Sequence, residues 1–110
     1  MRGFIYLAAL DPVVGNEIAK TRPVTVISND KNNEFSGTVS VVPLTSKNSR
    51  KIYPFEMYLG KGTGNLPKNS KVKADQIRTL DKSRLVKMIG ELGKTEIAAI
   101  EKALKIHLEL

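Results

Sequence analysis

Short apolar or alternating runs, each ended within a few positions by turn-forming residues, fill the first three-quarters of this 110-residue chain, and only its last stretch has helical spacing. Short strands leave unpaired edges unless the sheet curls or closes. Many of them before one terminal helix therefore predict a mainly β fold with a C-terminal α-helix, built as a small barrel or strongly curved sheet. Residues 3–10 are apolar on both faces and read as a buried strand ended by Asp11-Pro12. After a loop over 13–22, Pro23 opens a strand over 24–28, since a first position tolerates its missing N–H. Residues 29–33 read as a turn with a short helical twist, and 38–42 alternate as a half-buried strand does. A strand over 52–59 should put Phe55, Met57 and Leu59 on one face and Glu56 and Tyr58 on the other. Residues 71–75 alternate too, placing Val72 and Ala74 inward and Lys71, Lys73 and Asp75 on the outer side. Residues 84–91 fit a strand or a helical turn. From Thr95, read as an N-cap, Ile97, Ile100, Leu104 and Leu108 recur at helical spacing. No linker or internal repeat divides residues 1–110, which predicts one domain, and the six aromatics read mostly as core.

Composition narrows the chemistry. The chain has no cysteine, which excludes a disulfide framework, a thiolate zinc site and a cysteine nucleophile. No apolar run approaches the roughly 18 residues of a membrane span, and the N-terminus reads as a strand rather than a cleavable signal. The net charge is +7, and the excess is uneven: residues 61–90 carry eight basic and two acidic groups. Such a stretch fits a polyanionic partner, nucleic acid or an acidic protein segment, or else a solvated lysine-rich surface. The lone His107 lies beside the helical stripe without a partner at a telling spacing, and there is no His pair or carboxylate cluster to hold a metal. The glycines at 60–64 do not match a phosphate-binding loop, because the Lys-Ser/Thr and the following helix are missing.

What remains are polar residues beside strand ends: Glu17, Lys20, Thr21 and Arg22, then Thr45 and Ser46, then the run from Asp75 to Thr79. An arginine fork and a threonine hydroxyl suit phosphate oxygens, and a nearby carboxylate can move a proton. The same residues also serve as ordinary strand-end caps and surface ion pairs.

Five blocks in register carry a resemblance. Arg2-Gly3 with Ile5-Tyr6, the run from Leu10 to Gly15, Lys20-Thr21-Arg22-Pro23-Val24 through Asp30, Val41-Val42-Pro43-Leu44-Thr45-Ser46 with Tyr53-Pro54-Phe55-Glu56, and the run from Ala74 to Leu85 are together similar to the MazF/PemK toxins, the ribonuclease halves of toxin–antitoxin pairs. The resemblance implies an SH3-like small barrel of the MazF/CcdB/Kid-like type, a homodimer, a cytoplasmic location and no cofactor. It implies metal-independent cleavage of single-stranded RNA at short sequences, leaving a 2′,3′-cyclic phosphate and a 5′-hydroxyl. It also implies a cognate antitoxin whose acidic C-terminal tail covers the RNA groove.

On the same resemblance Arg22 and Thr45 take catalytic roles, Glu17 matches a loop acid, and Asp75 an acid of the PemK-like branch. Gln76 matches a polar residue at the RNA-facing edge. Asn16 and Lys73 stand where that branch has a histidine and an arginine, which favours the Arg22/Thr45 version of the site. Phe4 replaces the acid common after Arg-Gly, and Ile18-Ala19 replaces Gln-Gly, which should stiffen the loop. In the transesterification implied, the ribose 2′-hydroxyl attacks phosphorus while Arg22 and Thr45 stabilise the charged oxygens. A guanidinium stays protonated in proteins, so Glu17 is the better proton carrier, with Asp75 second. Asn16, Lys20, Thr21, Lys73, Gln76, Arg78 and Arg84 are the RNA-binding candidates, and Tyr53 or Phe55 is placed to stack a base. Two alternatives stay open: a non-catalytic RNA-binding module, and a gyrase-poisoning toxin of the same architecture.

Overall fold

In the computed structural model, which describes all 110 residues, seven strands form one antiparallel sheet. They are β1 (Phe4–Ala9), β2 (Thr21–Val26), β3 (Thr38–Thr45), β4 (Glu56–Leu59), β5 (Ser70–Lys73), β6 (Arg78–Asp81) and β7 (Leu85–Glu91). Helix α1 (Asp30–Phe35) joins β2 to β3, and α2 (Lys94–Leu108) follows β7. Neighbours run β4-β5-β3-β2-β1-β7, with β6 also paired to β3. On one edge β3 changes partner: Thr38 to Val41 pair with β6, whereas Leu44 and Thr45 pair with β5. A strand that switches partners makes a corner, and here the corner curls the sheet.

The two ends of the sheet, β4 and β7, share no ladder. A 3₁₀ turn at Thr63–Asn65 fills the seam instead. Asn65 Nδ2 donates to the Ile89 carbonyl at 3.2 Å, and the Gly64 carbonyl lies where a side chain at Gly90 would have to go. Glycine is needed at 64 on two counts, a φ of +55° and Ile5 Cδ1 only 2.5 Å from where a Cβ would sit.

Both faces of the sheet are covered. Ile5, Val42, Leu44, Val72 and Leu92 pack under Ile100 of α2, and Ala8, Leu10, Val24, Val26, Val39, Val41 and Leu80 form a second cluster. Strand β3 serves both: Val39 and Val41 enter one cluster, Val42 and Leu44 the other. Each such aliphatic stabilises the fold by about 1.5–3 kcal/mol. The aromatic residues do not form the core as expected. None is fully buried, and Phe35, Tyr53 and Tyr58 are exposed; aliphatic side chains hold the buried positions, and Tyr6 packs against the second cluster from its rim.

Several element boundaries differ from the sequence reading. Strand β2 begins at Thr21, because its ladder with β1 continues to Ala9↔Thr21 and Pro23 is accommodated inside it. Strand β3 runs through Pro43 to Thr45 rather than ending at 42. The strand expected over 52–59 is confined to β4. Tyr53 and Glu56 close a turn around Pro54, with Glu56 N–H on the Tyr53 carbonyl at 2.9 Å. Ala74–Gln76 forms a 3₁₀ turn rather than extending β5, and residues 78–81 form a strand that periodicity did not mark. Residues 85–91 settle as a strand. Helix α2 starts two residues early, at Lys94. Glu96 Oε1 accepts from the Gly93 N–H at 2.9 Å, so Gly93 rather than Thr95 is the cap. No helix is long and apolar enough to cross a membrane.

Candidate active site

The β2–β3 ladder sets Val26 opposite Val41 and Val24 opposite Pro43. Arg22 and Thr45 each lie two residues beyond the last pair of that ladder. Thr45 in turn pairs with Lys71 of β5. Directly opposed residues share a face, so Thr45 and Lys71 form one row, and Arg22 lines a pocket with Thr45 beside it.

The β1–β2 loop arches over this row. Together they enclose a pocket of about 320 Å³ lined by Arg22, Thr45, Lys47 and the loop residues Asn16, Glu17, Ile18, Ala19 and Lys20. Lys20 takes a left-handed conformation at φ 68°, and its carbonyl accepts from the Leu10 N–H at 2.9 Å, which pins the loop's return to the sheet. Arg22 Nε donates to the Ala19 carbonyl at 3.2 Å, leaving the two terminal guanidinium nitrogens unpaired within the protein. Thr45 Oγ1 accepts from the Lys47 N–H at 3.1 Å, so its own hydroxyl proton remains available. The site thus presents a planar pair of N–H donors beside one O–H donor, an arrangement suited to tetrahedral anionic oxygens.

Glu17 also lines a neighbouring pocket of about 350 Å³ with Asp75, Gln76 and Arg78. Its Oε1 accepts from the Val14 N–H at 2.6 Å, which fixes the carboxylate on the loop. Gln76 holds that loop: its Oε1 accepts from the Ile18 N–H at 2.7 Å and its Nε2 donates to the Asn16 carbonyl at 3.1 Å. Asp75 Oδ1 is shielded from solvent without a hydrogen-bond partner, 3.8 Å from Lys73 Nζ.

The remaining basic candidates divide. Lys73 lines a third pocket with Thr45 and Gln76. Arg78 and Arg84 lean on the end of β1 instead. Arg78 donates to the Leu10 carbonyl at 3.2 Å, and Arg84 to those of Ala9 and Asp11 at 3.1 and 2.7 Å. Thr21 and Arg22 line a pocket toward Pro67 and Lys68. Tyr53 and Phe55 stack on each other, ring centroids 5.6 Å apart, with Lys51 Nζ 5.4 Å from the Tyr53 ring. No group of three His, Cys, Asp or Glu side chains converges to hold a metal.

The sequence model of the PemK-like, MazF-like toxins of type II toxin–antitoxin systems matches residues 1–108. The chain belongs to this family. It is 40% identical to the endoribonuclease MazF9 of Mycobacterium tuberculosis over 99% of this chain and 96% of that one. Among solved structures it is similar to MazF from Deinococcus radiodurans, at 29% identity and a TM-score of 0.84, covering 98% of this chain and 94% of the other. It is also similar to a mycobacterial endoribonuclease solved in complex with its cognate antitoxin, at 28% identity and a TM-score of 0.82 over 100% and 95% of the two chains. The resemblance read from the five sequence blocks is therefore correct. So is the expected fold, a mainly β MazF-type barrel with a C-terminal helix.

In this MazF homologue, a cluster that sequence reasoning placed in solvent lies at the wall of the site. Lys71, expected on an outer face, is buried, and so is Glu56. Glu56 Oε1 accepts from Lys71 Nζ and Oε2 from Lys73 Nζ, each at 2.9 Å. Burial alone would push the Glu56 carboxyl up, but the hydrogen bonds from Lys73, the Tyr53 N–H and Lys71 hold it below the usual carboxylate range. Burial likewise opposes the charge on Lys73, yet the Glu56 hydrogen bond and the Asp75 charge raise it above the usual lysine value. Alternation groups Lys71 with Lys73 but does not reveal that the segment leading into β4 covers that side. The one available signal is an acid in the run Tyr53-Pro54-Phe55-Glu56, four strand residues from a glycine turn.

Proposed function

We propose that this toxin cleaves single-stranded RNA without a metal, by attack of a ribose 2′-hydroxyl on the adjacent phosphorus, yielding a 2′,3′-cyclic phosphate and a 5′-hydroxyl. The observation that carries this reading is the sharing of one pocket by Arg22, Thr45 and Glu17. The terminal guanidinium nitrogens and the Thr45 hydroxyl stabilise charge on the nonbridging oxygens, a task to which each well-placed donor contributes about 3–4 kcal/mol. Glu17, fixed by the Val14 N–H at 2.6 Å, carries the proton, and Asp75 across the adjoining pocket is the second acid. Asn16, Lys20, Lys73, Gln76 and Arg78 line the pockets of these groups, and with Thr21 and Arg84 they form the RNA-contacting set. The nucleophile belongs to the substrate, so DNA binds by charge and is not cut.

The partner is an antitoxin whose acidic tail lies in the same basic groove, in keeping with the solved toxin–antitoxin complex of a relative. The toxin works in the cytoplasm as a homodimer. The free edge of β7, with Val86 64% and Met88 46% exposed, offers apolar surface for a second copy. The deciding experiment maps cut sites on a long unstructured RNA in the presence of chelator, comparing wild type with Arg22→Ala. Cleavage by the wild type with loss of at least about 100-fold in the variant is expected. Equal cleavage by both refutes the site assignment, and cleavage by neither leaves a binding module.

A further inference from the structure

Glu56 is the one carboxylate whose side chain has no solvent exposure in its ion pairs, and three donors converge on it. Lys71 Nζ and the Tyr53 N–H reach Oε1 at 2.9 and 3.0 Å, and Lys73 Nζ reaches Oε2 at 2.9 Å. Lys71 is almost as enclosed, at 6% side-chain exposure, and gives a second proton to the Lys51 carbonyl at 2.9 Å. The β4–β5 ladder does not need these charges. A buried ion pair adds little net stability, and apolar side chains of similar volume usually replace one without loss. Two ammonium groups face Glu56, and Asp75, 3.8 Å from Lys73 Nζ, supplies the second carboxylate that balances them.

Its opening points one way. Lys73, with 20% of its side chain exposed, lines a pocket of about 190 Å³ with Thr45 and Lys47, beside the pocket that holds Arg22. An ammonium carries three N–H donors. Lys73 uses one on Glu56, and Asp75 Oδ1 at 3.8 Å is beyond hydrogen-bond reach, so donors remain for a ligand. A free lysine surrenders about 2 kcal/mol of rotamer entropy when it is fixed. Here the anchor fixes it before anything binds, which is the general route to affinity through preorganisation.

We propose that Glu56 and Lys71 are positioning residues that hold Lys73 as a fixed phosphate-binding cation, forming a subsite for the phosphodiester next to the one gripped by Arg22 and Thr45. The proposal rests on the RNA reading above and names one of its contacts. Lys71 also lines this pocket, but two of its three N–H donors are already taken by Glu56 and the Lys51 carbonyl. Glu56 cancels the mutual repulsion of the two lysines and so keeps Lys73 directed at the pocket.

The sign of one substitution tests this. Glu56→Gln removes a negative charge from the wall of a polyanion site, so bulk electrostatics alone predicts tighter binding; lost positioning predicts weaker binding. The probe is a fluorescent DNA oligonucleotide, uncleavable for want of a 2′-hydroxyl, titrated by anisotropy at several salt concentrations, beside cleavage kinetics on RNA. Glu56→Gln should weaken binding about tenfold, the size expected for one charge-assisted hydrogen bond, with KM rising and kcat unchanged. Lys73→Met should weaken it similarly and flatten the log affinity–log salt slope by about 0.7. Added to Lys73→Met, Glu56→Gln should then have no further effect. Glu56→Met with Lys71→Met removes both buried partners together, preserves packing and should show the same loss. Affinity equal to or above wild type in the Glu56 variants overturns the subsite while leaving the RNA reading intact. A wild type that neither binds nor cleaves RNA overturns both.

Discussion

Gln76 offers the sharpest test of how the fold positions the site, because its side chain ties the β1–β2 loop to the 3₁₀ turn Ala74–Gln76 through two hydrogen bonds, to the Ile18 N–H at 2.7 Å and the Asn16 carbonyl at 3.1 Å. Gln76→Ala removes both. At about 1 kcal/mol per neutral hydrogen bond, the held conformation of the loop loses about 2 kcal/mol relative to its released states. With about 1.4 kcal/mol per decade, the ratio of held to released loop falls about 30-fold, which is the upper limit on the resulting loss of RNA cleavage. Gln76→Glu keeps an acceptor for Ile18 but sets an oxygen against the Asn16 carbonyl, so its loss should lie between wild type and alanine. The assay pairs kcat/KM under chelator with hydrogen exchange at the Ile18 amide, which should lose protection in step with activity. Global thermal unfolding should move little, since neither apolar cluster includes Gln76. Rapid Ile18 exchange with full cleavage would show that loop placement is irrelevant to catalysis, and retained protection would show that these bonds do not hold the loop.

Two further outcomes follow from packing and charge. Asp30 is held down to about 2 by the Arg2 N–H first, then by the Asn33 side chain and the N-terminal ammonium. Its folded value lies below the unfolded 3.8, so its contribution to stability is present above that value and is lost as pH falls toward 2. The stability gap between wild type and Asp30→Asn in urea should narrow over that range, and a carboxyl NMR titration with a midpoint near 4 would refute the assignment. Gly64→Ala forces a Cβ to within 2.5 Å of Ile5 Cδ1 at a φ of +55°, whereas Gly62→Ala, at φ +92°, meets nothing within 4 Å. Both should be destabilised by the about 1–2 kcal/mol of added left-handed strain, and Gly64→Ala should melt several degrees lower again; equal melting temperatures would mean that the seam between β4 and β7 is not packed as described.

The strands, the helix and the family were legible because their signals are local. Turn residues cut the chain where the sheet turns, the helical period survives from Ile97 to Leu104, and the blocks around Arg22 and Thr45 lie close to their strand ends. Boundaries were less legible where ladder partners extend a strand past its local pattern. Thr21 joins β2 because Ala9 lies opposite, and β3 passes Pro43 because Val24 lies opposite. Arg78 and Arg84 read as RNA-binding candidates, and both lean on carbonyls at the end of β1, some 70 positions away in the chain.

From the amino-acid order alone came the residue types of the site, the excess of positive charge and the two-residue period that groups Lys71 with Lys73. Only the tertiary structure decided that the side bearing the two lysines is covered, that a carboxylate from β4 lies between them, and that Arg22 and Thr45 line one pocket. The reason is physical: alternation along a strand says which side chains share a face, while burial of that face depends on a segment paired from elsewhere in the chain, and no local period encodes which segment that is.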